Sequence, residues 1–380
     1  MASKVVIVGP AHPLRGGGMA TFNERLALAF QEAGDDVEIV TFSLQYPTFL
    51  FPGKSQYSDE PAPEGLSIKV LINSINPISW WKTGQYIQKQ KPDLVVFRYW
   101  LPFMGPCLGT IARIIRRNKY SRILAITDNV VPHEKRPGDI PFTKYFLKAC
   151  HGFITMSRSV QQDLEQFEPK KPSVYLPHPL YDNFGAAETK EEACEALGLD
   201  SKYNYILFFG FIRAYKGLDI LLKALDDGQL KFLPNLRLIV AGEFYEDATP
   251  YQQLIAELNL QEKLVLRTDF IPNSEVRHYF CAADLVVQPY KHATQSGVTQ
   301  VAYHFDKPMV VTKVGGLAEL VPDREVGYVT APEPKAIADA IFRFYTSGDA
   351  PVLIQNITKY KKRFSWQRFV QAIWELAEKV

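Results

Sequence analysis

Phe209-Gly210-Phe211-Ile212-Arg213-Ala214-Tyr215-Lys216-Gly217 is the point where an apolar run stops, a glycine turns the chain and an amphipathic helix begins. Tyr205 to Gly210 reads as a strand, Leu218 to Leu225 as the helix, and Leu236 to Ala241 as the next strand, which together make a βαβ unit. The alternation continues through helix 250–258, strand Leu264 to Leu266, helix 274–282, strand Leu285 to Gln288, helix 297–305 and strand Met309 to Thr312. Upstream, the same rhythm has already run once. Strand Val5 to Val8, loop Arg15-Gly16-Gly17-Gly18, helix Thr21 to Ala33 and strand Val37 to Phe42 open the chain. Further strands are expected at Leu94 to Phe97, Ile123 to Thr127 and Gly152 to Thr155, separated by helices over 80–90, 105–118 and 141–149. Strands that alternate with helices imply a parallel sheet covered on both faces. The pattern therefore predicts an α/β chain of two doubly wound, Rossmann-like domains, about 1–180 and about 185–360, divided by the proline-marked segment Lys171 to Pro179. A last helix over about 365–380 carries Phe364, Trp366, Phe369, Ile373 and Trp374, and this aromatic load predicts that it returns to the first domain. Ligands of such sheets bind outside the carboxyl ends of the strands, so the two edges are expected to face one another across a cleft.

The length of 380 residues suits two cores, and 47% hydrophobic with 22% charged residues is a globular composition. Forty-three Lys and Arg against 41 Asp and Glu is too balanced for wholesale nucleic-acid binding. Cys107, Cys150, Cys194 and Cys281 lie far apart with no CxxC pair, which indicates neither a zinc site nor a disulfide framework and predicts reduced thiols in the cytoplasm. The first apolar run is too short for a secretory signal, and no run approaches the roughly 20 apolar residues of a membrane helix. Any membrane contact is expected to be peripheral, at the inner face.

Two cations three residues apart, Arg213 and Lys216, sit at a helix entrance where free backbone N–H groups already favour phosphate. A pair of solvated surface side chains fits the same spacing. In the first domain the loop carrying Gly17 and Gly18 lets backbone approach a bound group, and a flexible turn explains it equally. Thr127-Asp128-Asn129-Val130-Val131-Pro132-His133-Glu134 follows a strand, which puts His133 and Glu134 on the ligand-binding edge. Histidine titrates near neutrality and suits proton handling or sugar hydroxyls. A kinase-type phosphate loop is absent, since no G-x-x-x-x-G-K-[ST] occurs.

Phe209 to Gly217 resembles the donor-diphosphate motif of family-4 retaining glycosyltransferases with the GT-B fold. The resemblance extends over nearly the whole chain, through the Gly-Gly-Gly loop, Val240-Ala241-Gly242, Phe270-Ile271-Pro272, Ala282-Ala283-Asp284-Leu285, Pro308 to Thr312 and Val314-Gly315-Gly316-Leu317. It implies metal-independent, cofactor-independent transfer of a sugar, with retention, from a nucleotide-sugar donor to a glycan, lipid-linked or small acceptor. Arg213 and Lys216 would neutralise the departing diphosphate, and His133 and Glu134 match the acceptor-side motif, with Asp128 where the related motif has His. Gly17, Gly18, Gly210, Gly242 and Ile271 fall in donor-binding motifs. The chain departs from the family where two Glu residues spaced by seven others are usual, because Ala293-Thr294-Gln295-Ser296-Gly297-Val298-Thr299-Gln300-Val301-Ala302 contains no acid. There Gln295 and Gln300 offer neutral hydrogen bonds, while Ser296, Gly297 and Val298 open a helix N-terminus that is expected to receive the donor; a plain helix cap is the simpler alternative. The missing acids leave open a non-catalytic binder of nucleotide sugars, and a related GT-B enzyme that is not a transferase, such as a sugar-nucleotide epimerase, is a third reading.

Trp80-Trp81-Lys82 and Arg98-Tyr99-Trp100-Leu101-Pro102-Phe103 place aromatics beside cations, near Arg113, Arg116, Arg117, Lys119 and Arg122. Such residues either fill a core beneath a solvated basic helix or rest on anionic lipid.

Overall fold

The computed structural model describes residues 2–47, 50–51, 55–131, 137–293 and 296–380, which form two compact units. Unit one comprises residues 1–179 and 364–380, and unit two residues 180–363. The first is built on seven parallel strands: β1 (Lys4–Val8), β2 (Asp36–Leu44), β3 (Ser67–Asn73), β4 (Leu94–Tyr99), β5 (Arg122–Thr127), β6 (Gly152–Thr155) and β7 (Ser173–Tyr175). Their order is β3-β2-β1-β4-β5-β6-β7. The second holds six, β8 (Asn204–Phe209), β9 (Leu236–Ala241), β10 (Leu264–Arg267), β11 (Leu285–Gln288), β12 (Met309–Thr312) and β13 (Gly327–Thr330), in the order β10-β9-β8-β11-β12-β13.

Both sheets are Rossmann-like, with the strand order reversing beside the first strand of each unit. Helices cover both faces, so central strands are apolar on both sides: Val5 to Val8 and Leu94 to Phe97 are all buried, as are Ile206 to Phe208. The strand and helix expectations hold to within a few residues for every element they included. They missed β3, β7 and β13 and the helices Arg158–Phe167, Lys190–Leu197, Leu317–Leu320, Pro334–Thr346 and Ala350–Tyr360. Edge position explains two of these omissions. In β3 only Ile72 is fully buried, and β7 is three half-buried residues, so neither shows a clear period-two pattern.

Polar details set the helix ends. Asn76 caps Pro77–Gln90 by accepting from the N–H groups of Ile78 and Ser79, and Pro77 occupies the first turn, where its missing N–H costs nothing. Thr189 and Glu192 form a reciprocal capping box on Lys190–Leu197.

The final helix, Trp366–Ala377, packs on Met19–Glu32 within the first unit. Phe22 is met by Trp366 at 5.1 Å and by Phe369 at 5.8 Å, and Phe30 by Trp374, whose indole N–H donates to Asp35 at 3.0 Å. Helices around the first sheet thus include one contributed from the far end of the chain. Among the described residues no helix is long and apolar enough to cross a membrane.

Trp366 is almost wholly buried against Phe22 and Phe369. Trp366→Ala should therefore lower stability by about 3 kcal/mol, the low end of measured Trp-to-Ala core truncations. Urea titration read by a probe in the first unit checks this, and an unshifted midpoint would show that the terminal helix does not brace that sheet.

Candidate functional site: an anion cradle in the second unit

At the carboxyl end of β8 three glycines meet stereochemical demands that no other residue satisfies. Gly210 has φ +90° and Gly242, after β9, φ +145°; a Cβ on Gly242 would lie 2.3 Å from the Gly210 carbonyl oxygen. Gly217 has φ +71°, and its Cβ would sit 2.0 Å from the Pro289 oxygen. These are positions where backbone touches backbone. The chain between them stays registered: Gly210 N–H donates to Ala241 (2.8 Å), Ile212 N–H to Glu243 (2.8 Å) and Tyr245 N–H to Ile212 (3.0 Å). A short 3-10 turn over Ala214–Lys216 follows, its Ala214 N–H held by Glu246 at 2.7 Å, and Gly217 opens helix Leu218–Leu225.

This turn folds Lys216 back over the strand end. Its Nζ is so close to Gly210 that a Cβ there would come within 3.0 Å of it, and Val298 Cγ2 would be 3.8 Å from that Cβ. Gly210, Lys216 and Val298 are thus brought together. Lys216 is buried, has no carboxylate partner among the described residues, and lies 5.8 Å above the Tyr290 ring. Burial, reinforced by the neighbouring Arg213, pushes its amine down to about 7. Arg213 is exposed, with its guanidinium 5.2 Å over Tyr245. Among the described residues neither Lys216 nor Arg213 forms an ion pair, and the nearby Glu246 is engaged by the Ala214 N–H.

Ser296 precedes helix Gly297–His304 in extended conformation, and its hydroxyl meets the Tyr290 hydroxyl at 3.3 Å. Gly297 is glycine for a local reason also, since a Cβ would lie 2.8 Å from the Tyr181 ring. Gln300 is fully buried, and neither amide atom has a partner among the described residues. Ile271 is half-buried beside Phe270, which stacks with Phe211 at 6.3 Å. Gln295 lies outside the described residues, as do His133 and Glu134 of the first unit.

In the first unit Gly17 and Gly18 are exposed, at φ +107° and +46°, and Gly17 N–H donates to Thr21 at 2.9 Å. Asp128 is bound by buried Arg98 through two contacts of 2.6 Å, and the guanidinium lies 4.1 Å over Phe22. His178 is buried against Phe22 at 5.0 Å, and burial holds it neutral, with its pKa down to about 3. Glu24 carries no signal in the sequence. Burial pushes its carboxyl up to about 7, while one oxygen accepts from His12 N–H at 2.8 Å. On a helical pattern it looks like an ordinary surface acid, so only the packing of its helix reveals it. Among the described residues no group of three His, Cys, Asp or Glu is placed to hold a metal ion.

Residues 16–180 match the family model described as Glycosyltransferase Family 4, and residues 203–347 the one described as Glycosyl transferases group 1. An uncharacterized glycosyltransferase of Methanocaldococcus jannaschii is 26% identical over 82% of this chain and 81% of its own length. The chain spans about half the length of the D-inositol 3-phosphate glycosyltransferases of Corynebacterium that it also matches. Sucrose-phosphate synthase of Thermosynechococcus elongatus has the same fold, with a TM-score of 0.75 at 17% identity, covering 99% of this chain and 98% of that one. So does the Anabaena protein HepE, solved in complex with UDP-glucose, with a TM-score of 0.72 at 16% identity over 99% and 100% of the two chains. With both halves matched by its models, the chain belongs to glycosyltransferase family 4 and is a glycosyltransferase of the GT-B fold.

Proposed function

We propose that the chain transfers a sugar from a nucleoside-diphosphate sugar, held by the second unit, to a hydroxyl of a glycan or lipid-linked acceptor, with retention and without a divalent metal, in the cytoplasm. The observation that carries this reading is Lys216, a buried amine on a glycine cradle with no acidic partner among the described residues. Burying an unpaired cation is costly, and an anion that arrives to pair with it recovers that cost. In the reaction the bond from C1 to the diphosphate oxygen breaks, its electron pair stays with the phosphate, and the acceptor oxygen bonds to C1 as its proton passes to the departing diphosphate. Charge grows on the diphosphate as the bond breaks, so Lys216 and Arg213 bind the transition state more tightly than the donor. The complex of HepE with UDP-glucose supports a nucleotide sugar as the donor class. Retention rests on the family membership alone.

Lys216→Ala should reduce transfer by about 10²-fold or more, measured as release of nucleoside diphosphate in the presence of acceptor. A wild-type rate in this variant would remove Lys216 from the reaction.

Proton linkage gives a sharper test. Free Lys216 titrates at about 7, and a bound diphosphate stabilises the ammonium and raises that value. Donor binding at pH 8 should then take up a proton, and affinity should fall by up to about tenfold per pH unit above 7 and level off below it. Calorimetry in buffers of different ionisation enthalpy reads the uptake, which Lys216→Met should abolish.

With the diphosphate neutralised by side chains, EDTA should leave the rate unchanged. A rate abolished by chelation and restored by Mg²⁺ or Mn²⁺ would overturn the metal-independent part of the proposal.

A further inference from the structure

Charge is distributed unevenly over the first unit. The crossovers from β3 to β4, β4 to β5 and β5 to β6 advance in one direction along the sheet, so right-handed connections put their helices on one face. These helices are Pro77–Gln90, Gly105–Arg116 and Asp139–Leu147. They form one layer, for Gly84 packs on Ile114 and Gly109 admits the Tyr145 ring. Residues 77–91, 105–122 and 139–148 carry ten Lys and Arg against a single acid, Asp139, in a chain whose total is 43 against 41.

The outer side of this layer is apolar as well as basic. Ile78 is 65% exposed, Trp81 54%, Ile140 58% and Phe142 42%. Trp80, next to Trp81, turns inward and donates its indole N–H to Asn73 at 2.8 Å, so Trp81 stands out alone. The same layer carries the cations, several of them in the last turns of its helices. Arg113 lies 3.6 Å over the Tyr145 ring and donates to the Gly109 and Tyr145 carbonyls, and Arg116 donates to the Lys148 carbonyl. Arg117, Lys144 and Lys148 are exposed and have no ion pair among the described residues. Beyond the middle helix, Arg116, Lys119 and Arg122 line a cleft of about 500 Å³.

Basic side chains alone fit any polyanion. Exposed isoleucines beside Trp81 and Phe142 decide between partners, because aliphatic side chains find a place at the headgroup boundary of a bilayer and none in the stacking or phosphate contacts of a nucleic acid. We propose that this helical layer docks the protein on an anionic phospholipid bilayer, with Trp81 and Phe142 entering the interface and Arg117, Lys144 and Lys148 meeting lipid phosphates. Interfacial aromatics and basic clusters act together here: the first supply buried apolar area, the second attraction to the surface potential.

The full-length protein is mixed with vesicles of phosphatidylcholine containing 30 mol% phosphatidylglycerol, or of phosphatidylcholine alone, and sedimented at fixed ionic strength. The wild type should partition at least tenfold more strongly onto the anionic vesicles. Each Lys or Arg near such a surface contributes about fivefold, so Arg117→Gln, Lys144→Gln and Lys148→Gln combined should weaken partitioning on the order of 100-fold at an unchanged melting temperature. Trp81→Ser with Lys82→Gln, both at exposed positions, should weaken it severalfold and provides a second reading if the triple variant fails to fold. Equal binding to neutral vesicles, wild-type partitioning by either variant, or capture by duplex DNA in preference to anionic vesicles would each overturn the proposal.

Discussion

Everything in the second unit's site depends on the contact of two backbones. Gly242 comes so close to the Gly210 carbonyl that no side chain fits between β8 and β9 where the strands end. That approach frees the space above Gly210, and Lys216 occupies it. Gly217 then presses on the Pro289 carbonyl, which fixes the entrance of helix Leu218–Leu225 against the loop after β11. Lys291 N–H donates to Tyr215 at 2.7 Å and Lys291 Nζ to Asp219, tying the same loop to the turn and to the helix. Lys216 is therefore positioned by backbone sterics rather than by a partner of its own, which is why its charge remains available.

The contrast with Arg98 shows what an occupied site looks like. Arg98 is also buried at a strand's carboxyl end, but Asp128 grips two of its nitrogens at 2.6 Å and Phe22 covers its face. A buried cation paired in this way ties Asp128, at the end of β5, to β4, while its remaining nitrogen, Nη1, is buried without a hydrogen-bond partner among the described residues. Lys216 has a soft aromatic neighbour and no carboxylate among the described residues. Two buried cations at the carboxyl ends of strands thus differ in their partners: Arg98 is held by a carboxylate, and Lys216 by none among the described residues.

The aromatic segments of the first unit divide in a similar manner. Tyr99 is wholly buried and stacks on Phe146 at 4.5 Å, and Trp100 donates to the Tyr46 hydroxyl. These residues build the core. Trp81 faces solvent with Ile78 and Phe142, so the core reading holds for Tyr99 and Trp100 and not for Trp81. Adjacent positions on a helix point about 100° apart, which is enough to send Trp80 inward and Trp81 outward.

By itself the sequence determined the alternation of strands and helices, its restart after Pro179 and the cation pair behind Gly210, because apolar periodicity and glycine placement are local properties of the chain. Edge strands β3 and β7 escaped it, being too little buried to need a pattern. The absence of acids from 293–302 was legible too, but not that Gln300 would be fully buried with both amide atoms unpartnered among the described residues, or that Gly297 is demanded by Tyr181. Glu24 gave no signal, since its burial depends on how helix Met19–Glu32 lies on the sheet and on the loop that carries His12. Tertiary structure alone decided which charges are paired and which are not. Pairing requires residues far apart in the chain to meet, as Arg98 meets Asp128, and desolvation depends on everything packed around a group, as it does for Lys216.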